Sequence, residues 1–133
     1  MKTADLFVCP SRHEGLGSIV MESWAHECPI IATNSQGPGE AIDDGVSGLI
    51  TPVDDVDALA NALNSVLSTP ELKQRLVEGG SKIYSERYSQ QVVVDQYVDL
   101  YQKILKGWLS WYTYLGLWSI PRLCVTLYKS EEP

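Results

Sequence analysis

Ser11-Arg12-His13-Glu14-Gly15-Leu16-Gly17-Ser18-Ile19-Val20-Met21-Glu22 follows directly on the apolar run Leu6-Phe7-Val8-Cys9 and Pro10. The run is short and continuous, which suits a buried parallel strand. Gly15 and Gly17 then supply a tight turn. From Ser18 to about His26 the chain reads as a helix, with Ile19, Val20, Met21, Trp24 and Ala25 as its apolar part. A strand, a glycine-rich turn and a helix start together make a place where main-chain N–H groups face an anion. Glu14 falls in the turn and Glu22 in the helix, eight positions apart. Both carboxylates are therefore expected to reach a polyhydroxylated ligand at the helix tip. A sugar carrying a phosphate fits that description.

Outward from this stretch the pattern repeats. Pro29 leads a second buried strand, Ile30-Ile31-Ala32-Thr33, and Asn34 to Gly39 reads as a loop entering a short helix through Ala41 and Ile42. Asp43-Asp44-Gly45 is turn chemistry, and Gly48-Leu49-Ile50-Thr51 is a third strand closed by Pro52. Helices follow. Asp54 to Leu67 carries Val56, Leu59, Ala60, Leu63, Val66 and Leu67 at helical spacing behind an acidic first turn, which suits the helix dipole. Pro70 opens another helix, in which Gly79-Gly80 reads as a weak point. Ser89 is placed to cap a last one through Val92, Val93, Tyr97, Leu100, Tyr101, Ile104 and Leu105. Strand, helix, strand, short helix, strand and then helices describe an α/β fold, part of a doubly wound, Rossmann-like parallel sheet.

The chain has 133 residues, 44% of them hydrophobic and 20% charged, which is a globular composition with room for one core. A net charge of -7 argues against nucleic-acid partners, whose footprint is a basic face. A local anion site survives that argument, because oriented amides need no formal charge. Cys9, Cys28 and Cys124 are odd in number and lack metal-ligand spacing, as expected of reduced thiols in the cytoplasm. The first residues carry an acid before any long apolar run, so no secretory signal is expected.

Glu14 and Glu22 form a Glu-x7-Glu pair, and the rest of the pattern stays in register with it. Ala4-Asp5-Leu6-Phe7-Val8, Pro10-Ser11, Met21-Glu22, Ala25, Pro29-Ile30-Ile31-Ala32-Thr33, Gly37-Pro38-Gly39-Glu40, Gly45-x-x-Gly48-Leu49-Ile50-x-Pro52 and Asp57-Ala58-Leu59-Ala60 all belong to the match. In these residues the chain resembles the C-terminal nucleotide-sugar-binding domain of retaining GT-B-fold glycosyltransferases of family 4. The resemblance covers residues 1–106 as a partial domain and leaves 107–133 as an aromatic-rich tail. It implies that Glu14 is catalytic, contacting the donor sugar hydroxyls, and that Glu22 accepts from the nucleotide ribose. It further implies that the main chain of Gly15, Leu16, Gly17 and Ser18 holds the sugar and diphosphate. No cofactor or metal is implied; the donor is a nucleotide diphosphate sugar and the acceptor a glycan or a lipid-linked glycan. His26-Glu27 departs from the family, which often has a small residue and glycine there, and Leu16 stands where an aromatic is common.

By the same resemblance the acceptor-binding N-terminal half is absent, together with the Arg/Lys pair that neutralises the departing diphosphate. The isolated chain is then expected to transfer weakly or not at all. The competing reading is a noncatalytic binding module, or one half of a split enzyme that pairs with a separate N-terminal half. His13-Glu14 looks like the start of a zinc-protease motif, but Gly17 stands where the second histidine belongs. Asp55-Val56-Asp57 looks like a metal-binding Asp-x-Asp, yet its position at a helix start favours capping. The tail holds Trp108, Trp111 and Trp118 and admits three readings of equal weight: contact with a membrane interface, packing over the exposed sheet, or sequence unrelated to the family. The protein is expected in the cytoplasm, and the first of these readings would place it peripherally at the inner membrane face.

Overall fold

The computed structural model describes residues 4–114. The tail from residue 115 onward, with Trp118 and Cys124, lies outside the described residues, so the membrane-interface expectation does not meet the structure. The chain divides into two compact units, residues 1–95 and 96–133.

The first unit is the expected α/β layer structure. Strands β1 (Phe7–Cys9), β2 (Ile30–Thr33) and β3 (Leu49–Thr51) form a parallel sheet in the order β1-β2-β3. Val8 stands opposite Ile31 in one ladder, and Ala32 opposite Ile50 in the other. The parallel pairs are joined through helices, α1 (Ser18–Ala25) between β1 and β2 and α2 (Gln36–Ala41) between β2 and β3. Two longer helices follow, α3 (Val56–Ser68) and α4 (Pro70–Ile83).

All four residues of β2 are buried, and the period of two divides them between two cores. Ile30 and Ala32 pack with Cys9, Val20, Trp24 and Ile42. Ile31 packs with Val66 and Leu76. Helices therefore cover both faces, which is why this strand is apolar throughout. Trp24, only 2% exposed, ties the layers together. Its indole N–H donates to the Ser47 carbonyl at 2.8 Å, and its ring lies 6.2 Å from that of Tyr88.

Several boundaries differ from the sequence expectation. Asn34 to Gly39 is not all loop, since α2 begins at Gln36 and takes in Gly37-Pro38-Gly39. Pro38 is tolerated because the first-turn amide it lacks would have had no helical partner. Helix α3 starts later than expected. Asp55 is its N-cap, with the carboxylate accepting from the Ala58 amide at 2.8 Å, and Asp54 takes a left-handed φ of 65°. Asp55 thus performs the capping role expected of the Asp-x-Asp stretch.

Gly79-Gly80 is not a weak point. Helix α4 runs through both, and the two positions need glycine because a Cβ on Gly79 would come within 2.1 Å of the Val46 carbonyl and one on Gly80 within 2.2 Å of the Trp24 ring. After α4 the chain makes a π-helical turn, Tyr84–Tyr88, which no sequence signal announced. The Ser89 hydroxyl donates back to the Ser85 carbonyl at 3.2 Å, just before α5 (Gln90–Tyr114) begins. The change in composition at Gly107 falls within α5. Among the described residues no helix is long and apolar enough to cross a membrane.

The end of α1 yields a stability prediction. The Glu27 amide donates to Trp24 O at 3.0 Å and the Cys28 amide to Ser23 O at 3.0 Å. This is a Schellman closure, whose C′ position is ordinarily glycine. Glu27 occupies it at φ 53°, where an L side chain costs roughly 1–2 kcal/mol. Part of that cost is offset by the extra unfolded-state freedom of glycine. Glu27→Gly is therefore expected to stabilise the domain by about 1 kcal/mol, raising Tm by several degrees in a thermal melt.

Candidate functional site

The loop after β1 is held at its turn. Glu14 Oε1 accepts from the Gly17 amide at 3.2 Å, and the Glu14 carbonyl accepts from the Gly37 amide at 2.7 Å. A carboxylate at this position also meets the positive end of α1. Gly17 is the N-cap of α1 at φ 63°, and no side chain among the described residues caps the helix. The first-turn amides of Ser18 and Ile19 have no intrahelical acceptor, so they remain available to an anion.

The Gly17 amide is different. It was expected to face the ligand, but it is engaged by Glu14. Gly17 contributes a backbone shape instead: it is buried and touches Gly37, where an added Cβ would come within 2.4 Å of Gly17 N.

Glu22 stands one turn beyond Ser18. Ser18, Glu22 and Ala25 form the exposed stripe of α1, while Val20, Ser23 and Trp24 are buried on the other side. Gly15 and Leu16 are exposed as well, Leu16 at 83%. The sequence thus delivers Glu14, Gly15, Leu16, Ser18 and Glu22 to one loop-and-helix unit. The direct side-chain link within it is from Glu14 to Gly17.

Three features were not legible in advance. Gly37 was noted as part of a motif but given no role; its signal lies in a loop twenty residues upstream. Arg12 pairs with Asp54 across 42 positions at 2.6 Å. Thr33 ends β2 by donating its hydroxyl to the Ser11 carbonyl at 2.5 Å. Beside these contacts a small cleft of about 150 Å³ is lined by Pro10, Thr33, Pro52, Asp54, Asp55 and Val56, among others. It lies off the carboxyl ends of all three strands, where open α/β sheets accept ligands. Neither Glu14 nor Glu22 lines it.

Comparison with known proteins was made on this framework. Residues 1–83 match the family model for glycosyl transferases group 1. The chain belongs to that family. Among the similar proteins of this group 1 glycosyltransferase chain is the lipopolysaccharide core biosynthesis glycosyltransferase LpsE of Rhizobium meliloti. It is 33% identical over 100 residues, which are 75% of this chain and 29% of the relative. The putative glycosyltransferase EpsD of Bacillus subtilis is 36% identical over 101 residues, covering 76% and 26%. Sucrose-phosphate synthase from Thermosynechococcus elongatus superposes with a TM-score of 0.72 at 27% identity, covering 78% of this chain and 26% of that one. The group 1 chain therefore spans under a third of the length of these relatives. Its parallel sheet is shared with GT-B glycosyltransferases.

Proposed function

We propose that these residues form the donor side of a retaining glycosyltransferase, binding a nucleotide diphosphate sugar for transfer to a glycan or lipid-linked acceptor. One observation carries the reading: α1 starts without a side-chain cap directly beside a carboxylate tethered to its first amide. Free amides at a helix tip favour the diphosphate. They also stabilise the negative charge that grows as the diphosphate departs. The Glu14 carboxylate uses one oxygen on the Gly17 amide and has no second partner among the described residues, so its other oxygen can accept from a sugar hydroxyl. Gly15, Leu16, Ser18 and Ile19 supply main-chain donors. Glu22, further along the exposed stripe, accepts from the ribose.

No step in this reading uses a metal. The acceptor site and the cations that neutralise the diphosphate come from outside these 133 residues, so the chain by itself binds donor and transfers weakly. A lipid-linked acceptor would place the reaction at the inner membrane face.

Calorimetry with a panel of nucleotide diphosphate sugars tests this on the chain and on Glu22→Ala. Loss of a charge-assisted hydrogen bond, about 1.5–3 kcal/mol, predicts affinity lower by roughly 10- to 150-fold, with inorganic pyrophosphate affected little. Equal affinity of both proteins for every donor would refute the assignment of Glu22.

A further inference from the structure

The loop between β1 and α1 is fastened at three points. At its start the Thr33 hydroxyl donates to the Ser11 carbonyl at 2.5 Å. Further on the Gly37 amide donates to the Glu14 carbonyl at 2.7 Å. Between them Arg12 Nε donates to Asp54 Oδ1 at 2.6 Å. Among the described residues no other side chain of this loop hydrogen-bonds to a different loop. The partner loop leads from β3 into α3, so the pair spans the end of β2, which lies between β1 and β3 in the sheet.

Asp54 is an unusual residue for its place. The Asp55 amide donates to the Pro52 carbonyl at 3.5 Å, closing a turn in which Asp54 is the third residue, at φ 65°. A turn with a positive φ there favours glycine, and an L side chain is strained. The turn alone would form more easily with glycine, so it does not explain the carboxylate. Global stability does not explain it either. The two side chains are 73% and 61% exposed, and ion pairs so open to water add little to folding. Such a pair can instead bias a surface loop, whose local opening costs little.

We propose that Asp54 is a positioning residue: through Arg12 it holds the β1–α1 loop in the shape that sets Glu14 and the amides of Gly15, Leu16 and Ser18 toward the donor. Its effect on binding rests on the donor reading, whereas its effect on the free loop rests on the ion pair alone. A clamp shifts the loop by no more than its own free energy. For an exposed pair this caps the gain in donor affinity at about fivefold.

Amide hydrogen exchange of the full chain without ligand reads the loop. Asp54→Gly and Arg12→Ala should each speed exchange at the Gly17 and Gly37 amides by about two- to fivefold, with no such increase at Leu76 in the core. The difference from the wild type should vanish in about 1 M salt, which screens the pair. Arg12→Lys keeps the charge and should fall between the wild type and Arg12→Ala.

Calorimetry with UDP-, GDP- and ADP-hexoses reads the site. Both variants should bind the preferred donor about two- to fivefold more weakly. The double variant should be no worse than either single one, because the two residues act as a unit. Asp54→Gly should show this loss while holding or raising Tm, since it also relaxes the turn. A merely structural role would lower affinity and Tm together, and that result overturns the proposal. Unchanged exchange at both glycine amides overturns the clamp. Faster exchange with unchanged affinity overturns its link to the donor, as does tighter binding by Asp54→Gly, which would mean that Arg12 itself takes the anion. If the wild type binds none of these donors, the donor reading fails and exchange alone decides whether the clamp exists.

Discussion

Gly80→Ala should destabilise this domain by about 3 kcal/mol, at the upper end of what overpacking a core costs. The added methyl would lie 2.2 Å from Cδ1 and 2.6 Å from Nε1 of Trp24. That ring cannot retreat easily. It is buried, hydrogen-bonded through Nε1 to Ser47 and packed near Tyr88. Moving it would strand an indole N–H in the interior, and a buried unpaired donor costs a further 1–3 kcal/mol or so. A fall in Tm of more than about 10 °C follows for a domain of this size. Gly107→Ala is the matched control. It also lies within a helix but has nothing within 4 Å of the new Cβ, so only helix propensity changes, by up to about 1 kcal/mol in favour of alanine. Equal melting of wild type and Gly80→Ala would mean that α4 and α1 are not in contact as described.

The second large effect falls on the site. An alanine at Gly37 would place Cβ 2.4 Å from Gly17 N, 2.7 Å from the Leu16 carbonyl carbon and 2.9 Å from Glu14 O. All three are backbone atoms of the donor loop, so the loop itself must move. The bond from the Gly37 amide to the Glu14 carbonyl goes with it. Gly37→Ala is expected to lower donor affinity by more than tenfold and to reduce stability by about 1–3 kcal/mol. Gly39, two residues on in the same helix, should behave in the opposite way. Its Cβ would meet the end of the Asn34 side chain at 2.5 Å. Asn34 is exposed and can turn its amide away. Gly39→Ala should therefore bind donor like the wild type, and the contrast between neighbours is read in one calorimetric series.

These two glycines also show where sequence reading stops. The strands at Phe7, Ile30 and Leu49 were legible because a buried parallel strand needs an unbroken apolar run. Helix α1 was legible from its turn glycines and the periodicity from Ile19 to Ala25. Gly80 and Gly37 were misread or left without a role because their reason lies in another segment. Local propensity treats a mid-helix glycine as a fault, whereas here it makes room for an indole. The same holds for Arg12, whose partner Asp54 sits 42 positions away, and for the π-helical turn, which a single sequence does not mark. Within the site, the Glu-x7-Glu spacing located both acids correctly on loop and helix. It could not show that Glu14 would take the Gly17 amide for itself.

Amide chemical shifts of the isotope-labelled chain, followed while a nucleotide diphosphate sugar is titrated in, probe the donor site most directly. The largest perturbations should fall on Gly15, Leu16, Ser18, Ile19 and Glu22, around a Gly17 amide that stays bonded to Glu14. Perturbations confined to the opposite end of the sheet, around Glu27 and Lys82, or none with any donor, would contradict it.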